Sequence, residues 1–242
     1  MFIPGFACSG EVWDETKAIY EKQFACYTLT MAGFAGAEPS PNSSFENWKI
    51  GIADFIKDKN IEKPILIGHS MGGGLAMAIA ADYPELVGKI IVVDALPCLA
   101  ALTNPHVKQQ ENIDCSAIIN RLTTLSQDQF YQMQTMTATQ LIQNTEMRER
   151  VVNWSVQSDR RTFAEMYCDF SNTDLREKIK DIICPTLVLL ESNFKNFQPA
   201  IEEQYQKLEF ANLQYANKGL HFIMYDDQAW YFDQLENFLA QD

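Results

Sequence analysis

Ile65-Leu66-Ile67-Gly68-His69-Ser70-Met71-Gly72-Gly73-Gly74 is the stretch on which the fold turns. An apolar run stops at a glycine, a serine stands between Gly68 and Gly72, and an Ala-rich run with helical character follows to Asp82. The spacing Gly-x-Ser-x-Gly between a strand and a helix holds a serine hydroxyl at the tip of a sheet. So tight a turn forces the serine backbone toward an unfavourable conformation. Strand and helix nearly touch, and Gly68 and Gly72 supply the room. The hydroxyl then lies beside the amides that open the helix, a place suited to negative charge. The competing reading is a glycine-rich turn whose serine only caps the helix. A histidine late in the chain, His221, favours the reactive serine.

Working outward, strands and helices alternate. Phe2-Ile3 ends in the loop Pro4-Gly5-Phe6-Ala7-Cys8-Ser9-Gly10. Val12 to Tyr20 has helical spacing with Trp13 facing inward, and Cys26 to Thr30 reads as a strand. Ala32 to Pro39 is a Gly/Pro loop, and Ser44 or Asn42 caps a helix running to about Lys59. Lys89 to Asp94 and Pro185 to Leu190 are near-continuous apolar runs, suited to a parallel sheet covered on both faces. From Ala95 to about Lys180 no β-rich run stands out, and helical periodicity marks Ile118 to Leu125 and Val151 to Met166. Asp174 is read as the cap of a helix from Leu175 to Lys180. A helix from about Pro199 to Leu208, a strand at Leu213 to Ala216 and a last helix from Asp226 or Asp227 to Leu239 complete the pattern. The expected architecture is a three-layer α/β fold around a mostly parallel sheet. Residues 1–94 and 181–242 would form the core, with a helical insertion over 95–180.

Composition narrows the partners. The 242 residues fit one domain, and 47% are apolar, enough for a sizeable core. With 32 acidic against 19 basic residues, the net charge of −13 argues against nucleic acid and against an anionic membrane surface. No run approaches the length of a membrane helix. The six cysteines are scattered without a C-x-x-C pair and only three histidines occur, so no metal site is expected. The cysteines read mostly as small buried apolar groups. No signal peptide is visible, which places the chain as written in the cytoplasm.

These residues resemble the α/β-hydrolase family across nearly the whole chain. The resemblance rests on Pro4-Gly5-Phe6, Gly33-Phe34-Ala35-Gly36, Gly68-His69-Ser70-Met71-Gly72, Pro185-Thr186-Leu187-Val188-Leu189 and His221. It implies a nucleophile–acid–histidine triad in that chain order, an oxyanion hole and a helical lid after the sixth strand, with no cofactor. Pro4 stands where the family's first loop usually has His. The family also has strands ahead of this loop. N-terminal strands are therefore expected to be missing here, and an export signal could be missing with them.

Ser70 needs a base to take its proton. His221 lies in a loop after the last strand and can lean over it. His69 sits inside the elbow, its side chain expected to point away from Ser70, and His106 is expected in solvent. The base needs a carboxylate to fix its tautomer. The resemblance puts this acid after the seventh strand, where only Glu191 stands, or at the tip of the sixth, where Asp94 stands; Asp94 is preferred. Backbone amides of Phe6 and Met71 would meet the developing oxyanion. Leu96, Leu99, Leu102, Tyr131, Met133 and Met136 are candidates for the pocket wall, and Arg160-Arg161 reads as a solvated pair.

The leading expectation is a serine hydrolase of small, largely neutral acyl esters. A proline iminopeptidase-like enzyme would instead need an acidic anchor for an amine, for which Glu146, Glu149, Glu165 and Asp169 are available. A non-catalytic binding module on the same fold is the third reading. Oligomeric state is not legible.

Overall fold

Five strands, β1 (Phe2–Ile3), β2 (Ile65–His69), β3 (Lys89–Val93), β4 (Thr186–Leu190) and β5 (Ala211–Tyr215), pair side by side in chain order, every pair parallel. The computed structural model describes residues 1–240. Side chains alternate across a strand, and the two faces of this sheet feed two separate apolar clusters. Ile3, Leu66, Ile90, Val92, Val188 and Leu190 enter one. Phe2, Ile67, Ile91, Val93, Leu187 and Leu189 enter the other. Burial of both faces is why these strands read as unbroken apolar runs.

The first face is covered by α2 (Phe45–Asp58), α3 (Met71–Asp82) and α8 (Gln198–Tyr205). Ser44 caps α2 by accepting from the Asn47 amide at 3.0 Å, and Phe45, Trp48, Ile52 and Ile56 form its buried stripe. Each such side chain contributes roughly 1.5–3 kcal/mol on burial. The second face receives Trp13, just ahead of α1 (Asp14–Tyr20), and Tyr231, Leu235 and Phe238 of α10 (Gln228–Leu239). The short α9 (Ile223–Asp226) leads into α10.

Between β3 and β4 the described chain is helical: α4 (Ser116–Thr124), α5 (Gln127–Leu141), α6 (Thr145–Gln157) and α7 (Arg160–Ser171). Ser126 and Gln129 form a reciprocal capping box at the start of α5. The run from Val151 to Met166 is two helices. Asp159 ends it by capping α7, accepting from the Thr162 amide at 2.8 Å, while its own amide donates to Gly33 O at 2.8 Å. Ser158 Oγ accepts from the Ala35 amide at 2.9 Å, so this break pins the helices to the loop after Met31.

Several local expectations need correction. Cys26 to Thr30 forms only a single bridge, Thr28 beside Phe2: the Phe2 amide donates to Tyr27 O at 2.7 Å, the Leu29 amide to Phe2 O at 3.1 Å, and β1 is only two residues long. Asp174 accepts from the Arg176 amide at 3.1 Å and from its guanidinium at 2.6 and 2.9 Å, but the helix expected from Leu175 to Lys180 does not form: turns follow, then a short 3-10 turn, Ile179–Asp181. Cys115 and Cys168 are not apolar fillers but a disulfide joining the start of α4 to α7. Cys8, Cys98 and Cys184 are free and buried. Arg160 is not a solvated charge. It lies 3.7 Å over the Phe130 ring and donates to the carbonyls of Leu122 and Leu125.

Candidate active site

Ser70 follows β2 with φ +53° and ψ −122°, a conformation that a non-glycine residue holds only under constraint. The constraint is visible on both sides. Its amide donates to Val93 O at 2.8 Å, and its carbonyl accepts from Gly73 and Gly74 at 2.8 and 3.1 Å. A Cβ on Gly68 would stand 2.1 Å from Gly72 O, and one on Gly72 would stand 2.3 Å from Ile3 O and 2.6 Å from Pro4 O. Only glycine permits this approach. Met71 opens α3, so its N–H is among the amides a helix leaves without an intrahelical partner. Among the described residues the Ser70 hydroxyl makes no hydrogen bond, which leaves it free to rotate.

Asp94 follows β3 directly with a second positive φ, +50°, and its amide donates to Leu189 O at 2.7 Å. Its side chain is 1% exposed. Oδ1 accepts from the Glu191 amide at 2.6 Å, and Oδ2 lies 2.6 Å from His221 Nδ1. Burial pushes the Asp94 pKa up, opposed by the imidazole and by that amide. Glu191 thus enters this cluster through its backbone, not its carboxyl. The carboxyl is pushed up to about 7, first by burial and then by the neighbouring Asp94 charge.

The loop bearing His221 is tied down by acids of the following helices. Asp226 accepts from the Leu220 amide at 3.0 Å, and Asp227 accepts from the amides of Asn217 and Lys218 at 3.2 Å. Ser192 Oγ donates to Gly219 O at 2.8 Å, joining this loop to the one after β4. From below, His69 Nε2 donates to the His221 carbonyl at 2.9 Å, and the two rings stand 4.5 Å apart. His69 is buried, and burial holds its pKa well below the usual imidazole value, so it stays neutral. Its Nδ1 has no partner among the described residues and faces Gly5, where a Cβ would come within 2.6 Å.

Ser70, His69 and His221 line one cavity of about 480 Å3. Phe6, Leu122, Met133, Phe163 and Phe222 supply apolar wall. Phe6 packs edge-on against Phe163 of α7 at 4.6 Å and Phe34 at 5.1 Å, which fixes the early loop against the helices. Among the described residues no Asp or Glu side chain lines this cavity. Glu165 pairs with Arg161, and Asp169 accepts from the Phe45 amide. A hollow of about 490 Å3 beside His106, Arg176 and Lys207 contains none of the three residues above.

A family model described as the alpha/beta hydrolase fold matches residues 1–228. The chain belongs to the alpha/beta hydrolase fold family. Over 188 residues this family member is 21% identical to the pimeloyl-(acyl-carrier protein) methyl ester esterase of Aliivibrio fischeri, covering 76% of this chain and 71% of that protein. An uncharacterized protein of Mycobacterium tuberculosis is 28% identical over 96 residues, which span 39% of this chain and 28% of that protein. The esterase structure from Exiguobacterium antarcticum superposes with a TM-score of 0.81 at 15% identity, covering 99% of this chain and 91% of that one. This last likeness is one of fold.

Within the α/beta hydrolase frame, Ser70, His221 and Phe6 lie together on the cavity, with Asp94 behind His221 and Met71 beginning the helix under Ser70. Of the expected pocket wall, Leu99 and Met133 line the cavity; Leu96 is buried in the core, and Tyr131 and Met136 are exposed. His106 is exposed as well. His69 was legible as part of the elbow but not as the support beneath His221, because that contact spans 152 residues. Gln134 and Ser155, polar residues on the cavity, carried no sequence signal at all.

Proposed function

We propose that this protein is a serine hydrolase that cleaves acyl esters by way of a Ser70 acyl intermediate, without a cofactor. The observation that carries it is the buried Asp94–His221 contact at 2.6 Å, presented to the cavity that Ser70 enters. Asp94 accepts from Nδ1–H, which leaves the His221 Nε2 lone pair free for the serine proton. Rotation of the unbound hydroxyl toward that nitrogen and the substrate carbonyl forms the attacking pair. As the tetrahedral oxygen becomes negative, the amides of Met71 and Phe6 donate to it; each such donor typically lowers the barrier by a few kcal/mol. His221 then passes its proton to the leaving alcohol and activates water for deacylation.

In this reading residues 95–180 act as a lid over a core made of 1–94 and 181–242. Phe163 of α7, Leu122 of α4 and Met133 of α5 would then hold the acyl chain. The absence of a carboxylate from the described cavity wall favours an ester over a peptide amine. A nitrophenyl butyrate assay tests it: the wild type gives a burst of nitrophenol, and Ser70→Ala abolishes the burst and lowers turnover by a factor on the order of 10^3 or more. Full turnover in Ser70→Ala would remove the reading. A fluorophosphonate probe is expected to label Ser70 alone.

A further inference from the structure

Two helices that wall the cavity each bury a polar side chain where an apolar one is expected. The buried stripe of α5 runs Phe130, Gln134, Ala138, and that of α6 includes Met147, Val151 and Ser155. Gln134 is 8% exposed and Ser155 is 5% exposed, yet both line the cavity. Among the described residues neither side chain has a hydrogen-bond partner. Neither is sealed from the cavity, in contrast to the enclosed orphan atoms of Trp13 or Trp48. A three-residue connection makes α5 and α6 antiparallel neighbours, so Gln134 and Ser155 stand on facing stretches. The amide and the hydroxyl are therefore polar groups open to whatever fills the cavity, on stripes where a Leu and an Ala would also fit.

The third observation is charge. Arg121 of α4 lines the same cavity from an exposed position at its rim, its only Arg, Lys, Asp or Glu among the described residues, and has no ion-pair partner there. The Gln134 amide nitrogen, the Ser155 hydroxyl and the Arg121 guanidinium all donate, and the guanidinium can only donate. A group that accepts from all three is an ionised carboxylate. An alkyl chain satisfies none of them, and an alcohol satisfies them incompletely.

From this wall we infer that the substrate's acyl group carries a second carboxyl group, ionised and remote from the scissile ester: the enzyme takes half-esters of dicarboxylic acids. The inference rests on the hydrolase reading above and departs from the largely neutral substrate expected from sequence, since it makes the substrate an anion. The scissile carbonyl would sit at Ser70 with the methylene chain along Leu122, Met133 and Phe163. The free carboxylate would meet Gln134, Ser155 and Arg121. No bond beyond the ester changes, and the remote carboxylate is held, not consumed.

The test compares kcat/KM for monomethyl esters of succinate through suberate with methyl esters of the monoacids of matching length. The wild type is expected to favour the half-ester at one chain length by about tenfold or more. Gln134→Leu and Arg121→Met should each cut that ratio about tenfold, while Arg121→Lys keeps most of it. A ratio is read because a general loss of folding or activity cancels from it. Dimethyl esters separate the two donors: Arg121→Met should leave their preference over monoacid esters less changed than Gln134→Leu does. A wild-type ratio near one at every length, or a ratio unmoved by both Gln134→Leu and Arg121→Met, overturns the subsite while leaving Ser70-dependent hydrolysis standing. Turnover of monoacid esters that persists in Ser70→Ala overturns the hydrolase reading, and this one with it.

Discussion

The strand tips and the helices between β3 and β4 build their surfaces in opposite ways. At the strand tips, backbone does the positioning. Ser70 and Asp94 both hold positive φ, both amides are fixed by carbonyls of a neighbouring strand, and glycines let main chain touch main chain. In the helical segment, side chains do it: the Arg160–Phe130 contact, the Cys115–Cys168 bond and the Phe6–Phe163 pair set where the wall stands. The first kind of order tolerates almost no displacement. The second can repack, so the wall is free to vary while Ser70 and Asp94 stay put.

Variants that break one region should therefore differ in kind from those that break the other. The largest effect is expected at Asp94. Asp94→Asn leaves the fold but disturbs the imidazole tautomer, and turnover should fall by a factor on the order of 10^3–10^4, whereas Glu191→Gln should change it less than about threefold. Steady-state rates on one ester decide between them, and the reverse ranking would exchange their roles.

Next is the disulfide. Cys115→Ser opens a connection between residues separated by 53 positions and should weaken the helical segment by about 2–4 kcal/mol. Hydrogen exchange should speed up in α4 and α7 and not in β2 to β4, with KM rising more than kcat falls. Equal loss of protection in the sheet would erase the distinction between the two regions.

A smaller effect, about tenfold in kcat, is expected for His69→Phe, which keeps a ring beneath His221 but loses the donor to its carbonyl. His69→Gln restores a donor at similar reach and should recover much of the rate; recovery absent, with normal folding, would reduce His69 to filler.

The smallest effect concerns Glu191 and stability. Its carboxyl is pushed from 4.5 to about 7, so the folded protein binds this proton more tightly than the unfolded chain. Stability from this group therefore falls as pH rises between about 4.5 and 7, and the loss is complete above that window. Glu191→Gln should raise the unfolding temperature at pH 8 and leave it nearly unchanged at pH 4. Thermal scans at the two values check the sign.

The same contrast explains what the sequence could disclose. Gly68, Ser70 and Gly72 were legible because tight backbone contact leaves glycine no substitute, and β2 to β4 because burial on both faces demands apolar runs. Cys26 to Thr30 has the same strand-like composition, but the neighbouring β1 is only Phe2–Ile3, and the ladder stops after one bridge. Asp174 reads as a cap and does accept from the Arg176 amide, but the Arg176 side chain is held by the distant carbonyls of Pro105 and Val107, and only turns follow. Tyr131 and Met136 have the chemistry of a pocket wall but the wrong side of α5. Which face of a helix meets a cavity depends on how its neighbours cross it, and composition does not encode that.

The bare α-carbon of Gly72 rests on the carbonyl oxygens of Ile3 and Pro4. The early loop and the serine turn, more than sixty residues apart in the chain, therefore meet backbone to backbone, and Gly5 against His69 adds a second contact. A shift of either is passed to the other at this contact, one residue from Met71 and two from Phe6. A methyl at this point would act as a shim, prying the early loop away from the serine turn.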